Sequence, residues 1–299
     1  MTKKLPAFSA VDAGLLLAVV IWATNFSIVK AALAQLSPLA FVALRMSGAA
    51  VLTLLFTWMI ERDLSLPRVT WRQVVMLGFV GNFCYPVLFI TGLARTTASH
   101  SGLLLGTSPL FVAVIGTLTR SDRLTRWNWA GVALSFLGAC VLAVGGGSRL
   151  TLDTQALWGD LLTLGAASMW ATYTVGSKRL VRHISPLKAT AWTMVAGLPF
   201  LLSAALPSLR NQNWQAVSRP AWLGLTYSTV FAIALAYVLW TTGVQRIGSA
   251  RTSTYHFVEP IGSVVLARIL LGENLSPTQV VGAATILIGI ALVRYRRGG

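Results

Sequence analysis

The sequence predicts an all-α membrane protein of ten transmembrane helices, arranged as two inverted-topology five-helix repeats. Three observations predict it: apolar blocks as long as a bilayer is thick, a Lys and Arg bias that alternates with those blocks, and residues that recur at a nearly constant offset. Of 299 residues, 55% are hydrophobic and only 11% are charged. Soluble domains average about 25% charged residues, so this chain has too few charges to cover a water-facing surface. About 20 apolar residues cross the hydrocarbon core as a helix, and a helix satisfies its own backbone groups there. Strands of a membrane barrel would alternate apolar and polar residues, and no such alternation is present.

The blocks lie at residues 10–32, 38–60, 71–93, 98–118, 127–144, 156–176, 186–206, 221–243, 253–271 and 278–293. The first follows Lys3 and Lys4, is long enough to span and is followed by further spans, so it reads as a retained helix rather than a cleaved signal. The second carries Arg45, and the third carries Asn82, Tyr85 and Pro86. The fourth has His100 near its outer end and Pro109 further on. The fifth and tenth carry Gly131 and Gly138, and Gly282 and Gly289, each pair seven residues apart. Trp170 and Tyr173 lie in the sixth, Trp192 in the seventh, Tyr237 and Trp240 in the eighth, and Tyr255, His256, Glu259 and Pro260 in the ninth. The connections are short and hold Pro, Gly, Ser and Arg, so none houses a separate soluble domain. Cys84 and Cys140 both fall inside apolar blocks and read as inert thiols, not as a disulfide framework.

The formal net charge is +16, from 24 Lys and Arg against 8 Asp and Glu. In a soluble protein that excess would point to nucleic acid. Here the basic residues sit singly or in pairs between apolar blocks, so no nucleic-acid partner is expected and the charges mark topology. With the N-terminus inside, seventeen Lys and Arg fall on the inner side, among them Arg62, Arg123, Lys178, Arg179 and Arg296. Five fall on the outer side (Lys30, Arg95, Arg149, Arg210 and Arg219), and Arg45 and Arg268 lie within spans. Basic residues mark cytoplasmic loops, so both termini are expected in the cytoplasm.

The chain also repeats itself. Trp22-Ala23-Thr24-Asn25 recurs as Trp170-Ala171-Thr172-Tyr173, Lys30 as Lys178, and Ser37-Pro38 as Ser185-Pro186, all at an offset of 148. Gly92 matches Gly243, Arg95 matches Arg246, Pro109 matches Pro260, and Gly131 and Gly138 match Gly282 and Gly289, at an offset of 151. The expected division is residues 1–148 and 149–299. Five spans per repeat is an odd number, so the second copy enters the membrane from the opposite side. Inverted repeats of this kind recur among secondary transporters, where similar halves rock around a midplane site.

These residues resemble the drug/metabolite transporter superfamily in its ten-helix form with two EamA-type domains. The resemblance rests on Trp22-Ala23-Thr24-Asn25-Phe26, Arg45, Glu259-Pro260, the run Gly272-Glu273-Asn274-Leu275-Ser276-Pro277, and Gly282 and Gly289. It covers nearly the whole chain. It implies export of metabolites, often amino acids, across a bacterial inner membrane, with the aromatic-amino-acid exporters as the nearest likeness. One departure stands out: Ser108-Pro109 occupies the place of Glu259-Pro260, so any carboxylate role belongs to the second repeat alone.

Glu259 is the most informative residue. A carboxylate within a span costs about 2.5–3.5 kcal/mol on insertion scales, so it should face protein or water. Pro260 cannot donate to the carbonyl of His256, which places a kink at the same level. The functional reading is substrate-ammonium binding or proton coupling; the structural one is a pair with Arg268 or another cation, or a shallow, wet position. His256 and Tyr255, three and four residues earlier, share its face. Trp22 and Asn25 share a face of the first span, as Trp170 and Tyr173 do in its repeat. An apolar wall with a few polar groups is what a substrate pocket needs. Asn82, Tyr85, Trp192 and Tyr237 are further candidates for the same cavity, although helix packing explains each as well. Pro86, Pro109 and Pro260 are candidate hinges. Arg45 suits a carboxylate ligand, but a structural pairing is the favoured reading, and the paired glycines read as helix packing or as a dimer face.

No Walker-type loop and no metal-ligand spacing is present, so no cofactor, metal or direct ATP use is expected, and no enzyme. The leading expectation is a secondary transporter that exports amino acids by alternating access. The alternative is proton-coupled efflux of cationic drugs through Glu259. A membrane-embedded lipid enzyme is the distant third, because His256 and Glu259 lack a nucleophile.

Overall fold

The structure is a computed structural model that describes residues 8–95, 98–121, 124–145, 154–259, 261–262 and 277–295. Among the described residues all regular structure is helical. The elements are α1 (Ala10–Ala32), α2 (Pro38–Glu61), α3 (Arg68–Arg95), α4 (Ala98–Leu105), α5 (Ser108–Leu118), α6 (Arg126–Gly145), α7 (Thr154–Leu180), α8 (Pro186–Asn211), α9 (Arg219–Ile247), α10 (Ser249–Ser253, continuing as a 3-10 turn over Thr254–Phe257) and α11 (Pro277–Tyr295). Five of these, α1, α2, α3, α8 and α9, are long and apolar enough to cross a membrane. Side chains such as Val51, Leu55, Leu161, Leu223, Val281 and Leu287 stand exposed around the outside. An apolar surface of this extent belongs in lipid, because soluble monomers expose only small patches.

The local signals explain the helix starts. Ser9 and Asp12 cap α1 reciprocally: the Ser9 N–H donates to Asp12 Oδ2 at 2.8 Å and the Ser9 hydroxyl accepts from the Asp12 N–H, which satisfies two orphan donors. α2 and α8 both open on Ser-Pro, with proline in the first turn where its missing N–H costs nothing. At the far end of α9, Gly248 turns the chain into α10 at φ 86°, a conformation that favours glycine.

The predicted spans match the helices closely in the first, second, fifth, sixth, seventh, eighth and tenth positions. Two features were not in the pattern. The third helix of each half contains a π-helical segment, Val80–Cys84 in α3 and Ser228–Leu235 in α9, and these begin at residues separated by the same 148 offset. Pro86 follows the first segment, and its missing N–H explains the loss of the bond to Asn82. The second segment contains no proline, so proline alone does not make the break. The fourth helix is also interrupted: α4 ends at Leu105 and α5 begins at Ser108, with Pro109 in its first turn. In α10 the 3-10 turn Thr254–Phe257 stands at nearly the corresponding place. The expected hinge Pro260, Arg268 and the Gly272–Ser276 run lie outside the described residues.

Helix pairing alternates between the halves. α2 lies along α8, and α6 along α11. The C-terminal part of α3 packs on α7, as that of α9 packs on α1; the N-terminal part of α3 meets α8, as the π segment of α9 meets α2. The predicted glycines are where α6 and α11 touch: a Cβ at Gly131 would lie 2.7 Å from the Gly289 carbonyl, and one at Gly138 2.8 Å from that of Gly282. Their packing partners are within this chain.

Polar staples tie α2 to α8 at both ends. At one end Lys188 Nζ reaches Asp63 Oδ2 at 2.8 Å and Glu61 Oε2 at 3.6 Å, and the Ser185 hydroxyl donates to Glu61. At the other, the Ser37 N–H donates to Gln212 Oε1 at 2.8 Å, and Gln212 Nε2 donates to the Gln35 carbonyl at 2.9 Å. The Lys188 ammonium, followed by the Ser65 contacts, holds the Asp63 carboxyl well below the usual aspartate range. A depressed carboxylate stabilises the fold above its unfolded pKa of about 3.9 and loses that contribution as pH falls through the folded value. Asp63→Asn should therefore lower the thermal midpoint slightly at pH 7. The difference should shrink below about pH 4, and melting curves of the detergent-solubilised protein at both pH values check this.

Candidate functional site

A cavity at the centre is walled by both halves. α1 contributes Trp22, Asn25 and Phe26; α2 contributes Arg45; α3 contributes Tyr85 and Phe89; and α4 contributes Leu105. From the second half come Trp170 on α7, Ile233 and Tyr237 on α9, and His256 and Glu259 at and beyond α10. The free space at its centre is ≈ 20 Å³, the room of about one water.

Aromatic rings close this space. Trp22 stacks on His256 with centroids 5.2 Å apart and planes 7° apart. Trp170 meets Trp22 edge-on at 5.5 Å and lies 4.9 Å from Tyr85 and 5.1 Å from Tyr237. Trp240 backs His256 at 4.4 Å. The Trp22 indole N–H donates to the carbonyl of Ala232 at 2.7 Å. Ala232 belongs to the π segment of α9, where the widened turn disturbs the regular backbone ladder. Trp22→Phe removes this bond and leaves a buried carbonyl unmet, so it should cost about 1–3 kcal/mol. Denaturation of the variant in detergent measures it.

The hydrogen bonds also fix the state of His256. Trp170 Nε1 lies 2.7 Å from His256 Nε2. An indole N–H only donates, so Nε2 accepts and carries no proton. The imidazole proton is then on Nδ1, which hydrogen-bonds Glu259 Oε1. The result is a directed chain, Trp170 to His256 to Glu259, in which a neutral imidazole donates to the carboxyl group. The 3-10 turn and the following residues bring His256 and Glu259 onto one side, and both are about 2% exposed.

Other polar atoms in the wall lack partners among the described residues. Asn25 Oδ1, the Tyr237 hydroxyl and Arg45 Nε are buried and make no hydrogen bond to any of them. Each such group costs about 1–3 kcal/mol, so an arrangement of several in one cavity suits a polar ligand rather than fold stability. Among the described residues no group of three or more His, Cys, Asp or Glu could hold a metal ion.

The structure brings Trp22, Asn25, Tyr85, Trp170, Tyr237, His256 and Glu259 together in the wall. It places four other candidates elsewhere. Asn82 is buried in the α3 π segment, with its Cβ against Gly197 of α8. Tyr173 stacks behind Trp170 at 5.5 Å, its hydroxyl among Thr193, Thr241 and Ser177. Trp192 donates to the Leu64 carbonyl at 3.0 Å and meets Trp71 edge-on at 5.8 Å, near the end of the α2–α8 pair. Tyr255 turns to Asp12 and hydrogen-bonds its carboxylate. Arg45, for which the sequence favours a structural pairing, lines the same cavity. Sequence reasoning had no means to single out Phe89, Leu105 or Ile233, because apolar lining and apolar packing look the same in a sequence.

The profile of the EamA-like transporter family matches this chain twice, over residues 10–144 and 157–295. A probable amino-acid metabolite efflux pump of Salmonella typhimurium is 29% identical over 286 residues, covering 92% of this chain and 91% of its own. The uncharacterized transporter YyaM of Bacillus subtilis is 27% identical over 270 residues, covering 89% of this chain and 87% of its own. A crystal structure aligns over 96% of both chains with a TM-score of 0.76 at 20% identity, a likeness of fold. With two family matches that together span nearly its full length, the chain belongs to the EamA-like transporter family, within the drug/metabolite transporter superfamily, and is a multi-pass membrane transporter.

Proposed function

We propose that this transporter exports amino acids, aromatic ones first, by alternating access. Two five-helix halves, residues 1–148 and 149–299, are threaded through a bacterial inner membrane in opposite senses with both termini in the cytoplasm. The observation that carries the reading is the shared cavity: an aromatic cage drawn from both halves, lined as well by an acid and a guanidinium. An aromatic cage suits an apolar or aromatic side chain, and a few polar groups set its orientation. The Salmonella relative named as an amino-acid metabolite efflux pump supports the substrate class. The alternating helix pairs and the recurring π segments support a pseudo-symmetric pair of halves. With ≈ 20 Å³ free, the site takes an amino acid only when the rings part, which is what rocking of the halves would achieve.

Proteoliposomes loaded with labelled phenylalanine test the reading. Saturable efflux, competed by tryptophan and tyrosine, is the expected outcome; flux no faster than from empty liposomes for every amino acid tried overturns it. Cationic drug efflux is the second reading, favoured by Glu259 in the wall. Arg45 in the same wall weighs against it, because a guanidinium repels a purely cationic substrate. Ethidium efflux that depends on a proton gradient, without amino-acid flux, would establish that alternative.

A further inference from the structure

We propose that Arg45 is the carboxylate anchor of the site, and so sets a preference for zwitterionic amino acids over the corresponding amines. The inference rests on the transport reading above and names the group that gives it specificity. Arg45 lies in the first half of α2, is 2% exposed and lines the central cavity. Its guanidinium sits 5.3 Å from the ring of Phe41, one turn earlier, and Nη1 is 3.3 Å from the Ser228 hydroxyl, at the start of the α9 π segment. Nε has no partner. Among the described residues no carboxylate lies within ion-pair distance of it: Lys188 takes Asp63 and Glu61, and Glu259 takes His256.

An arginine carries five N–H donors in a planar fork, and burying such a charge without an anion is costly. One long bond and one ring face do not satisfy it. A structural role would be met by a residue that completes the fork, whereas among the described residues Nε is left without a partner at a position that lines the cavity. Carboxylates fit it bidentately. The same wall holds the Glu259 carboxyl group, held by His256 Nδ1, and the free Asn25 Oδ1. These acceptors suit an ammonium. The cavity thus offers a cation for one end of a zwitterion, acceptors for the other and aromatic rings for the side chain. An amine would gain the last two and face an unneutralised guanidinium.

Tryptophan fluorescence gives the test, because Trp22 and Trp170 line the site. Phenylalanine and phenethylamine are titrated into the native protein, Arg45→Gln and Arg45→Lys. The native protein should prefer phenylalanine by about 100-fold, as expected for a charged hydrogen-bonding pair. Arg45→Gln should bring the preference to within about threefold, and Arg45→Lys should keep part of it. Phenylalanine methyl ester on the native protein should lose the same factor as phenethylamine, which keeps the test open if the variants fold poorly. The proposal is overturned if the native protein binds acid, ester and amine alike, or if a folded Arg45→Gln variant retains the preference. Absence of any amino-acid binding or flux in the native protein would instead fell the transport reading, and this inference with it.

Discussion

Glu259→Gln should lower phenylalanine efflux by about 100-fold while costing less stability than His256→Ala. Glutamine keeps an oxygen where Glu259 Oε1 now meets His256 Nδ1, so the Trp170–His256 bond of 2.7 Å and the stacked Trp22–His256 pair have no cause to move. What the change removes is the negative charge that an ammonium substrate would meet in the cavity wall. A hydrogen bond to a charged group is worth about 1.5–3 kcal/mol, and removing the charge forfeits most of it. His256→Ala differs in kind: it opens a gap beside Trp22, Trp170 and Trp240 and strands both the indole N–H and the carboxyl group, so stability should fall together with transport. The pair of variants separates charge from packing, measured as initial efflux rates from proteoliposomes beside melting curves. Full activity in Glu259→Gln would show that the acid only orients the histidine.

Much of this site was legible because charges and aromatics stand out against an apolar background. Glu259 had to face protein, since lipid would penalise it, and its place on the face of His256 followed from helical spacing. Trp22 and Trp170 were found through the 148 offset, which needs no structure. Arg45 stands out as a charge, but whether it has an internal partner does not: that depends on which helices meet, and among the described residues α2 meets the π segment of α9 rather than an acid. The π segments were hidden for a similar reason. Pro86 signals the one in α3, but the one in α9 arises over Ser228–Leu235 without a proline. Asn82 and Trp192 had suitable chemistry, yet a local widening of α3 turns Asn82 towards α8, and Trp192 lies close enough to the α2–α3 connection to bond Leu64. Sequence spacing gives a residue's face on its own helix, and the neighbour that face meets is a tertiary fact.

Gly289→Val should destabilise the fold by about 3 kcal/mol or more, the largest effect expected outside the cavity. A Cβ at Gly289 would lie 2.2 Å from Ser135 Oγ, 2.6 Å from the Gly131 carbonyl and 2.7 Å from the Ser135 nitrogen. A serine rotamer can relieve the first contact, but the other two are backbone, so α6 and α11 must separate. Separation stretches the bonds from Ser135 Oγ to the Ile286 carbonyl, at 3.3 Å, and from Asn128 Nδ2 to the Val293 carbonyl, at 3.1 Å. It also loosens the packing of Val132, Ile286 and Ile290. Lipid is as apolar as these side chains, so close backbone contact and hydrogen bonds must hold such a pair together, and both depend on the missing Cβ. Gly102→Ala is the control: its Cβ would meet nothing nearer than Phe26 at 4.0 Å, and the gain in helix propensity makes the change neutral or mildly stabilising. Thermal midpoints of the two variants in one detergent decide the matter. A Gly289→Val protein as stable as Gly102→Ala would mean that the close contact of α6 with α11 contributes little, and that another surface holds the fifth and tenth helices in place.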